Sequence, residues 1–350
     1  MRARTAISKL RLRGLLSGVS LSPHAMAPYA AHLRYPSGRV LLGRTKLAYV
    51  NLRNLISDAK RDRTGRIAGY VAVWLPEEFL LLFLRDGEVV NAVRLTPRGA
   101  EATAIASALA RIPSEPEFGE VAFHEVPAEQ LVCMYHTMLH EPAPWPAGLV
   151  AADPRVLFPH LRDTRFTGVL EVVNRDAVHY LVLRDGLIEH TYVTGDAGGG
   201  RADQLSRVFG PPSPKSRTRV RGWPGQLTMP AQAPAALVAA YRELIERLYT
   251  ELGSYGVPVP SAVGERVRNA LAGRHPALRH FTGGPKPEDP AEDQEAVTAA
   301  VAAWVTETIR EALAGDDETA ANVVEAAARD RRHMLHAAGF LPALPWSVAW

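Results

Sequence analysis

The residues best suited to binding a phosphate form a glycine-rich segment: Gly195, Gly198, Gly199, Gly200 and Arg201. Glycine lets the backbone wrap around an anion, and an arginine at the end of such a loop could pair with it. The segment lacks the Gly-Lys-Ser/Thr ending of a P-loop and follows a predicted β-meander, where a P-loop would open a strand-to-helix crossover. An ordinary loop is the leading interpretation. The alternative is a small-ligand sensor that binds a nucleotide or another anion.

Two histidines and the single cysteine are the other candidates for chemistry. His136 and His140 lie four residues apart on a predicted helix, a spacing that can place two imidazoles on one metal ion. No glutamate follows His136 and no third ligand is positioned by the sequence, so a metal site is not expected. Cys133 lies in an apolar helical pattern, where a thiol behaves as a small hydrophobic group. The sequence therefore predicts no catalytic, metal-binding or cofactor-binding residues.

The elements that must position these residues follow a pattern that occurs twice. Each copy has Thr-Gly, two hydrophobic runs and Leu-Arg-Asp-Gly, at residues 64–87 and 167–186. Hydrophobic runs rich in β-branched and aromatic residues, separated by turn residues, predict a three-stranded antiparallel meander. Asp-Gly favours a type I′ turn. Structural roles at turns are predicted for Gly65, Asp86, Gly87, Gly168, Asp185 and Gly186.

The two meanders are expected to differ in length. The interval from Gly65 to Asp86 is four residues longer than the interval from Gly168 to Asp185. If each strand of the first hairpin were longer by two residues, the same side chains would still face the core. A short amphipathic helix is predicted before each Thr-Gly, and a strand and a helix are predicted after each meander.

Residues in both copies carry a family resemblance. They are Leu55, Ile56, Thr64, Gly65, Leu84, Arg85, Asp86, Gly87, Val89 and Val90 in the first copy, and Leu161, Thr167, Gly168, Leu183, Arg184, Asp185, Gly186 and Ile188 in the second. This arrangement resembles the PatA-like N-terminal domain, a domain of unknown function, in two tandem copies. The resemblance implies a bacterial cytoplasmic protein of signalling, motility or cell organisation, without a family-wide catalytic activity. It transfers no active-site residue.

Length and composition set broad limits. The chain has 350 residues, of which 47% are hydrophobic and 22% are charged. This length exceeds what one core usually supports, so two or three domains are expected. The single cysteine excludes an intramolecular disulfide and fits a reducing compartment. No apolar run reaches the roughly 20 residues of a transmembrane helix. We therefore predict a cytoplasmic protein.

Residues 1–45 are predicted to be a basic N-terminal extension. Before Asp58 the chain has ten lysine and arginine residues and no acidic residue. A disordered basic tail is the leading interpretation; a targeting segment and an extension from an early start codon are the others. Such a segment could make weak contact with an anionic membrane surface. Nucleic acid is not the expected partner, because the basic residues are not interleaved with aromatic residues that could stack on bases.

The C-terminal residues are predicted to form a helical module over 253–350, with a linker at 257–260 near its start. Asp289 is the predicted N-cap of a helix with one apolar stripe that includes Val297, Val301 and Trp304. The last twelve residues are too hydrophobic for a solvated tail. Either they fold back onto their own domain, or they form an anchor for a partner protein, through Phe340, Leu344, Trp346 and Trp350.

These patterns together predict an α+β protein. Two tandem antiparallel β-meander units with flanking helices, at 46–145 and 146–252, precede the helical module. The expected function is that of a non-enzymatic adaptor that binds protein partners, since no catalytic constellation is present and two tandem units could raise avidity. A homodimer could form through an exposed sheet edge.

Overall fold

The first sheet of the protein comes from the N-terminal third of the chain. The computed structural model describes residues 32–61, 67–113, 118–195, 199–210, 218–282 and 288–347. Within them, this sheet has six antiparallel strands: β1 (Arg39–Lys46), β2 (Gly69–Trp74), β3 (Phe79–Arg85), β4 (Glu88–Thr96), β5 (Gly99–Ala102) and β6 (Glu120–Glu125). Their order is β1-β6-β2-β3-β4-β5, so β6 returns to pair with the first strand of the meander.

The second sheet repeats the core of the first. Its strands are β7 (Gly168–Asn174), β8 (Ala177–Arg184), β9 (Leu187–Tyr192) and β10 (Arg219–Pro224), in the order β10-β7-β8-β9. The meander β7-β8-β9 corresponds to β2-β3-β4, and β10 corresponds to β6. The predicted α+β architecture with two tandem meander units is therefore confirmed.

The helices cover the sheets and extend beyond them. They are α1 (Leu52–Arg61), α2 (Ile105–Ala110), α3 (Ala128–Leu139), α4 (Pro154–Asp163), α5 (Arg201–Phe209), α6 (Ala235–Ser254), α7 (Pro260–Leu271), α8 (Gln294–Leu313), α9 (Asp317–Ala328) and α10 (Arg332–Ala337). Helices α1 and α2 cover one face of the first sheet, and α4 and α5 cover one face of the second. No helix among the described residues is long and apolar enough to cross a bilayer.

Helix α3 lies in a core that both sheets share. Leu131, Met134 and Tyr135 of α3 are buried in that core, where the Tyr135 ring packs edge-on against Phe83 of the first sheet at a centroid distance of 5.6 Å. Tyr180 of the second sheet is buried in the same core. Each sheet is thus covered on both faces, which explains why β3 and β8 bury nearly every residue where a half-exposed strand would alternate.

Gly69 and Gly168 occupy equivalent positions in the two meanders. Gly69 pairs with Leu84 and Gly168 pairs with Leu183, and each leucine begins a Leu-Arg-Asp-Gly sequence. The two hairpins therefore have the same length between these positions, and the predicted extension of the first hairpin is wrong. The first hairpin has instead a longer turn between β2 and β3. Gly65 lies outside the described residues, and Gly168 begins β7 and is not part of a turn.

A close approach of neighbouring strands explains both glycines. A Cβ at Gly69 would overlap the carbonyl oxygen of His124 in β6, and a Cβ at Gly168 would overlap that of Trp223 in β10. Glycine is used where another backbone passes this near. The two units therefore align on Gly69 and Gly168, the glycines that the backbones of β6 and β10 approach.

The Asp-Gly turns have the left-handed backbone that a type I′ hairpin needs. Asp86 and Gly87 have φ of 55° and 77°, and Asp185 and Gly186 have φ of 50° and 76°. In both units the next strand has a β-bulge, at Val90 in β4 and at Glu189 in β9. The two units therefore share this β-bulge, which the sequence does not predict.

Part of the predicted basic extension is a strand. Residues 39–45 lie in β1, which pairs with β6 at the edge of the first sheet. Arg39 forms an ion pair with Glu125 at 2.8 Å, and Arg44 donates to Glu120 at 2.7 Å. The prediction was wrong here because the carboxylates that neutralise these arginines lie in β6, far away in the sequence. Residues 1–31 lie outside the described part of the chain.

The C-terminal helices enclose a core of their own. Tyr241 of α6, Val301 of α8 and Val323 of α9 are fully buried in it. Since α6 belongs to this core, the boundary predicted at 252 falls inside a helix and is wrong. The N-cap of α8 is Asp293, whose carboxylate accepts from the N–H of Ala296 at 2.8 Å; the predicted cap, Asp289, instead pairs with an arginine of α6.

The hydrophobic C-terminal segment is part of the helical core. Phe340, Leu344 and Trp346 are buried, and the Trp346 indole N–H donates to the Asp317 carboxylate at 2.8 Å. Their side chains are therefore not available to a partner, and the anchor hypothesis is wrong for these three residues. Trp350 lies outside the described residues.

Protonation of His179 is expected to destabilise the second sheet. Its Nδ1 accepts a hydrogen bond from the N–H of Thr194 at 3.1 Å, so the ring is neutral. Burial, together with the charge of Arg34, lowers the pKa of His179 to about 4. Because the unfolded chain has the higher pKa of about 6.5, this residue's contribution to stability is complete above that pH and is lost as the pH falls through 4.

We expect His179 to account for up to about 3 kcal/mol of lost unfolding free energy between pH 7 and pH 4. Replacing it by glutamine, as His179→Gln, keeps a hydrogen-bond acceptor and removes the titration. Urea unfolding at several pH values measures the effect. Identical pH slopes for the two proteins would show that His179 is not responsible.

Candidate functional site

A groove of about 1080 Å³ lies at the end of the first sheet that is remote from the Asp86-Gly87 turn. It forms where two turns meet: the β2–β3 turn contributes residues 74–79, and the β4–β5 turn contributes residues 94–98. Arg111 and Pro113, which follow α2, also line it, together with His32, Arg44 of β1 and Glu101 of β5. The meander brings these turns together because every second connection lies at the same end of an antiparallel sheet.

The floor of the groove is apolar. Phe79 and Leu95 are buried there, and the Trp74 ring lies 5.1 Å from the Phe79 ring. The guanidinium of Arg44 lies 4.2 Å above the centroid of the Trp74 ring, in a cation–π contact that fixes the indole. Exposed prolines at positions 76, 97 and 113 line the same groove. Aromatic and proline side chains form flat surfaces of the kind that hold extended peptides.

The rim of the groove carries four arginines, at positions 44, 94, 98 and 111, against three glutamates, at positions 77, 78 and 101, an excess of one positive charge. Arg94 donates from Nε to Glu101 at 2.6 Å, and Glu78 lies between Arg94 and Arg111 at 3.6 and 3.7 Å. The Glu78 side chain is mostly buried, and the two arginines neutralise its charge. Arg98 is exposed and forms no ion pair with any residue that the structure describes. Arg98 and Arg111 therefore present guanidinium groups to whatever enters the groove.

The predicted glycine loop lies elsewhere, at the start of α5. The carboxylate of Asp203 accepts from the N–H of Gly200 at 3.1 Å, and Gly199 packs against the side chains of Asp203 and Arg207. A phosphate at a helix N-terminus would need these N–H groups, and the Asp203 carboxylate would repel it. Gly195 is exposed, and Gly198 and the side chain of Arg201 lie outside what the structure describes. The described geometry thus does not favour an anion site.

His136 and His140 come together on α3. Their rings stack with centroids 4.0 Å apart. Burial is the larger cause and the charge of His140 the smaller cause that lowers the pKa of His136 to about 4. Within the described ranges, no group of three or more His, Cys, Asp or Glu side chains is placed to hold a metal. Cys133 is buried in the core around α3, and desolvation raises its pKa to about 12, so its thiol stays protonated at neutral pH.

No family model, curated protein or solved structure matches this chain. The resemblance to the PatA-like N-terminal domain therefore stays a prediction. The function has to be argued from the groove itself.

Sequence reasoning missed the groove because its residues come from separate turns. Pro76-Glu77-Glu78 is recognisable as a turn, but its proximity to Pro97 and Arg111 depends on the pairing of β2, β3, β4 and β5. The available signal was the set of prolines and arginines at connections on one end of the predicted meander. Connections at that end of an antiparallel sheet are neighbours.

Proposed function

We propose that this chain is a non-enzymatic adaptor that binds an extended acidic segment of a partner protein in the groove of the first sheet. The observation that supports this proposal is the open groove itself, in which an apolar floor around Trp74 lies beside a cationic rim. In keeping with the family resemblance, the adaptor would act in bacterial signalling or cell organisation, in the cytoplasm.

The chemistry of the groove favours an extended segment over a small molecule. It is partly open to solvent, and its apolar floor lies beside charged side chains and exposed prolines. Arginine guanidinium groups bind carboxylates in a bidentate geometry, so Arg98 and Arg111 favour aspartate and glutamate in the bound segment. An apolar or proline residue of the same segment would lie on Trp74. We therefore expect an acidic sequence that also contains aromatic or proline residues.

Selection of peptides from a random display library on the full chain tests the proposal. We expect acidic peptides to be enriched and to bind with micromolar affinity. The double variant Arg98→Glu, Arg111→Glu should weaken binding of the enriched peptides by about 10-fold or more, because it replaces attraction by repulsion. Trp74→Ala should also weaken binding, since aromatic side chains supply much of the energy of such contacts. Fluorescence anisotropy with labelled peptides measures both effects.

The matched control is Arg279→Glu, an exposed arginine in the C-terminal helical module. It changes net charge in the same direction but lies outside the groove lining, so it should leave peptide affinity unchanged. Circular dichroism should show that all variants keep the native helix and strand content. Enriched peptides whose affinity is insensitive to the groove variants, or a selection that enriches nothing, would refute the proposal.

A further inference from the structure

The outer edge of β9 differs from the equivalent edge in the first unit. In the first unit, β5 pairs with the second half of β4, and the carbonyl of the bulge residue Val90 accepts the N–H of Gln232 at 2.9 Å. The edge of β4 is thus covered by a strand and by the segment that leads into α6. In the second unit, no strand among the described residues pairs with the outer edge of β9.

The side chains of β9 are correspondingly exposed. Leu187 is 60% exposed, and the side chains of Glu189 and His190 are 36% and 54% exposed. Glu189 is the bulge residue equivalent to Val90, so its carbonyl is expected to point outward as that of Val90 does. A strand edge with free backbone groups and an exposed leucine is a site for the addition of another strand.

The sequence of β9 is complementary to itself in the antiparallel direction. With a two-fold axis between Glu189 and His190, Glu189 lies opposite the partner's His190, and Leu187 lies opposite the partner's Tyr192. Ile188 then lies opposite the partner's Thr191. Each carboxylate thus faces an imidazole, and each leucine faces an aromatic ring, which are favourable cross-strand pairs. In its own chain Glu189 lies 3.3 Å from Arg184, His190 lies 3.8 Å from Glu129, and the Tyr192 hydroxyl donates to Glu129, so the pairs across the axis add to these contacts.

We infer that two copies of this chain associate through their β9 strands, which joins the two second sheets into one continuous eight-stranded antiparallel sheet. The interface is isologous, because the same strand serves both copies. Each dimer then presents two grooves, one from each first sheet, and can bind a partner with repeated acidic segments more tightly than a monomer can. Dimerisation does not depend on the groove and can be tested separately.

A six-residue strand edge is a small interface, so the dimer should be weak. Specific stable interfaces bury about 1,600 Å² in total, and a pair of short strands buries less. We therefore expect a reversible equilibrium with a dissociation constant in the micromolar range or weaker. Sedimentation velocity of the full chain over a series of micromolar concentrations should show a sedimentation coefficient that rises with concentration.

Charge reversal at the two-fold axis is the sharpest test. His190→Glu places carboxylates opposite each other twice in the dimer and should weaken association by about 10-fold or more. The double variant Glu189→Lys, His190→Glu restores opposite charges across the axis and should recover the dimer. Leu187→Lys should also weaken it, whereas Tyr255→Lys, at another exposed apolar residue in the helical module, should not.

Circular dichroism and thermal melting of each variant separate dissociation from unfolding. A chain that stays monomeric at every concentration would overturn the inference. So would a dimer that persists in both His190→Glu and Leu187→Lys, or a double variant that fails to recover association although it is folded.

Discussion

Ending the chain at Gly339 is expected to unfold the C-terminal helical module. The truncation removes Phe340, Leu341, Leu344 and Trp346, which are all buried in the core formed by α6 to α10. Removing one large buried side chain typically costs about 2–5 kcal/mol, so the loss of four approaches the whole stability of an ordinary domain. Tyr241 of α6, whose ring lies 5.7 Å from that of Phe340, would become exposed.

Far-ultraviolet circular dichroism measures this loss, because most of the module is helical. We expect the truncated chain to lose helical signal and its remaining part to melt at a lower temperature. A chain that ends at Ser347 is the matched control, since it keeps Trp346 and its bond to Asp317. Phe340→Ala alone should destabilise the module by about 3–5 kcal/mol. Unchanged melting of the chain ending at Gly339 would show that the segment is not part of the core.

Local patterns in the sequence were sufficient to predict the two meanders. Strand periodicity and Asp-Gly turns depend on neighbouring residues only, and these predict β2 to β4 and β7 to β9. The apolar stripe of α8 is equally local, and Val297, Val301 and Trp304 are indeed buried together. The fold class was therefore accessible without any knowledge of tertiary contacts.

The errors all involve contacts between distant parts of the chain. Residues 39–45 read as a basic tail because the partners of Arg39 and Arg44 lie in β6. The sequence pattern pairs Gly65 with Gly168, although the structural equivalent of Gly168 is Gly69, the glycine that the β6 backbone approaches. No local pattern distinguishes Gly65 from Gly69, since the requirement for glycine arises from a strand more than fifty residues away.

Helices α3 and α6 occupy equivalent positions in the two units, but they pack in different cores. Helix α3 follows β6 and packs in the core shared by the sheets, whereas α6 follows β10 and packs with α8 and α9. Both helices begin after a proline, at Pro127 and Pro234, so their local signals are alike. What α6 packs against depends on the C-terminal helices, which the repeat does not predict.

Gly186→Val is expected to destabilise the second unit by more than about 3 kcal/mol. Two effects add at this position. Gly186 has φ of 76°, which a β-branched residue rarely adopts. A Cβ there would also lie 2.5 Å from the Cα of Arg162 and from the carbonyl oxygen of Leu161, at the end of α4. Because both contacts are with backbone, rotation of a side chain cannot relieve them.

Two other glycines separate these effects. Gly195 has φ of 93°, but a Cβ at this position would have no described atom within 4 Å, so Gly195→Val should cost only the backbone strain, about 1–2 kcal/mol. Gly43 in β1 has neither constraint, and Gly43→Val should be nearly neutral. Urea unfolding of the three variants measures the series. Equal stabilities for Gly186→Val and Gly195→Val would mean that the Asp185-Gly186 turn does not pack against the backbone of α4.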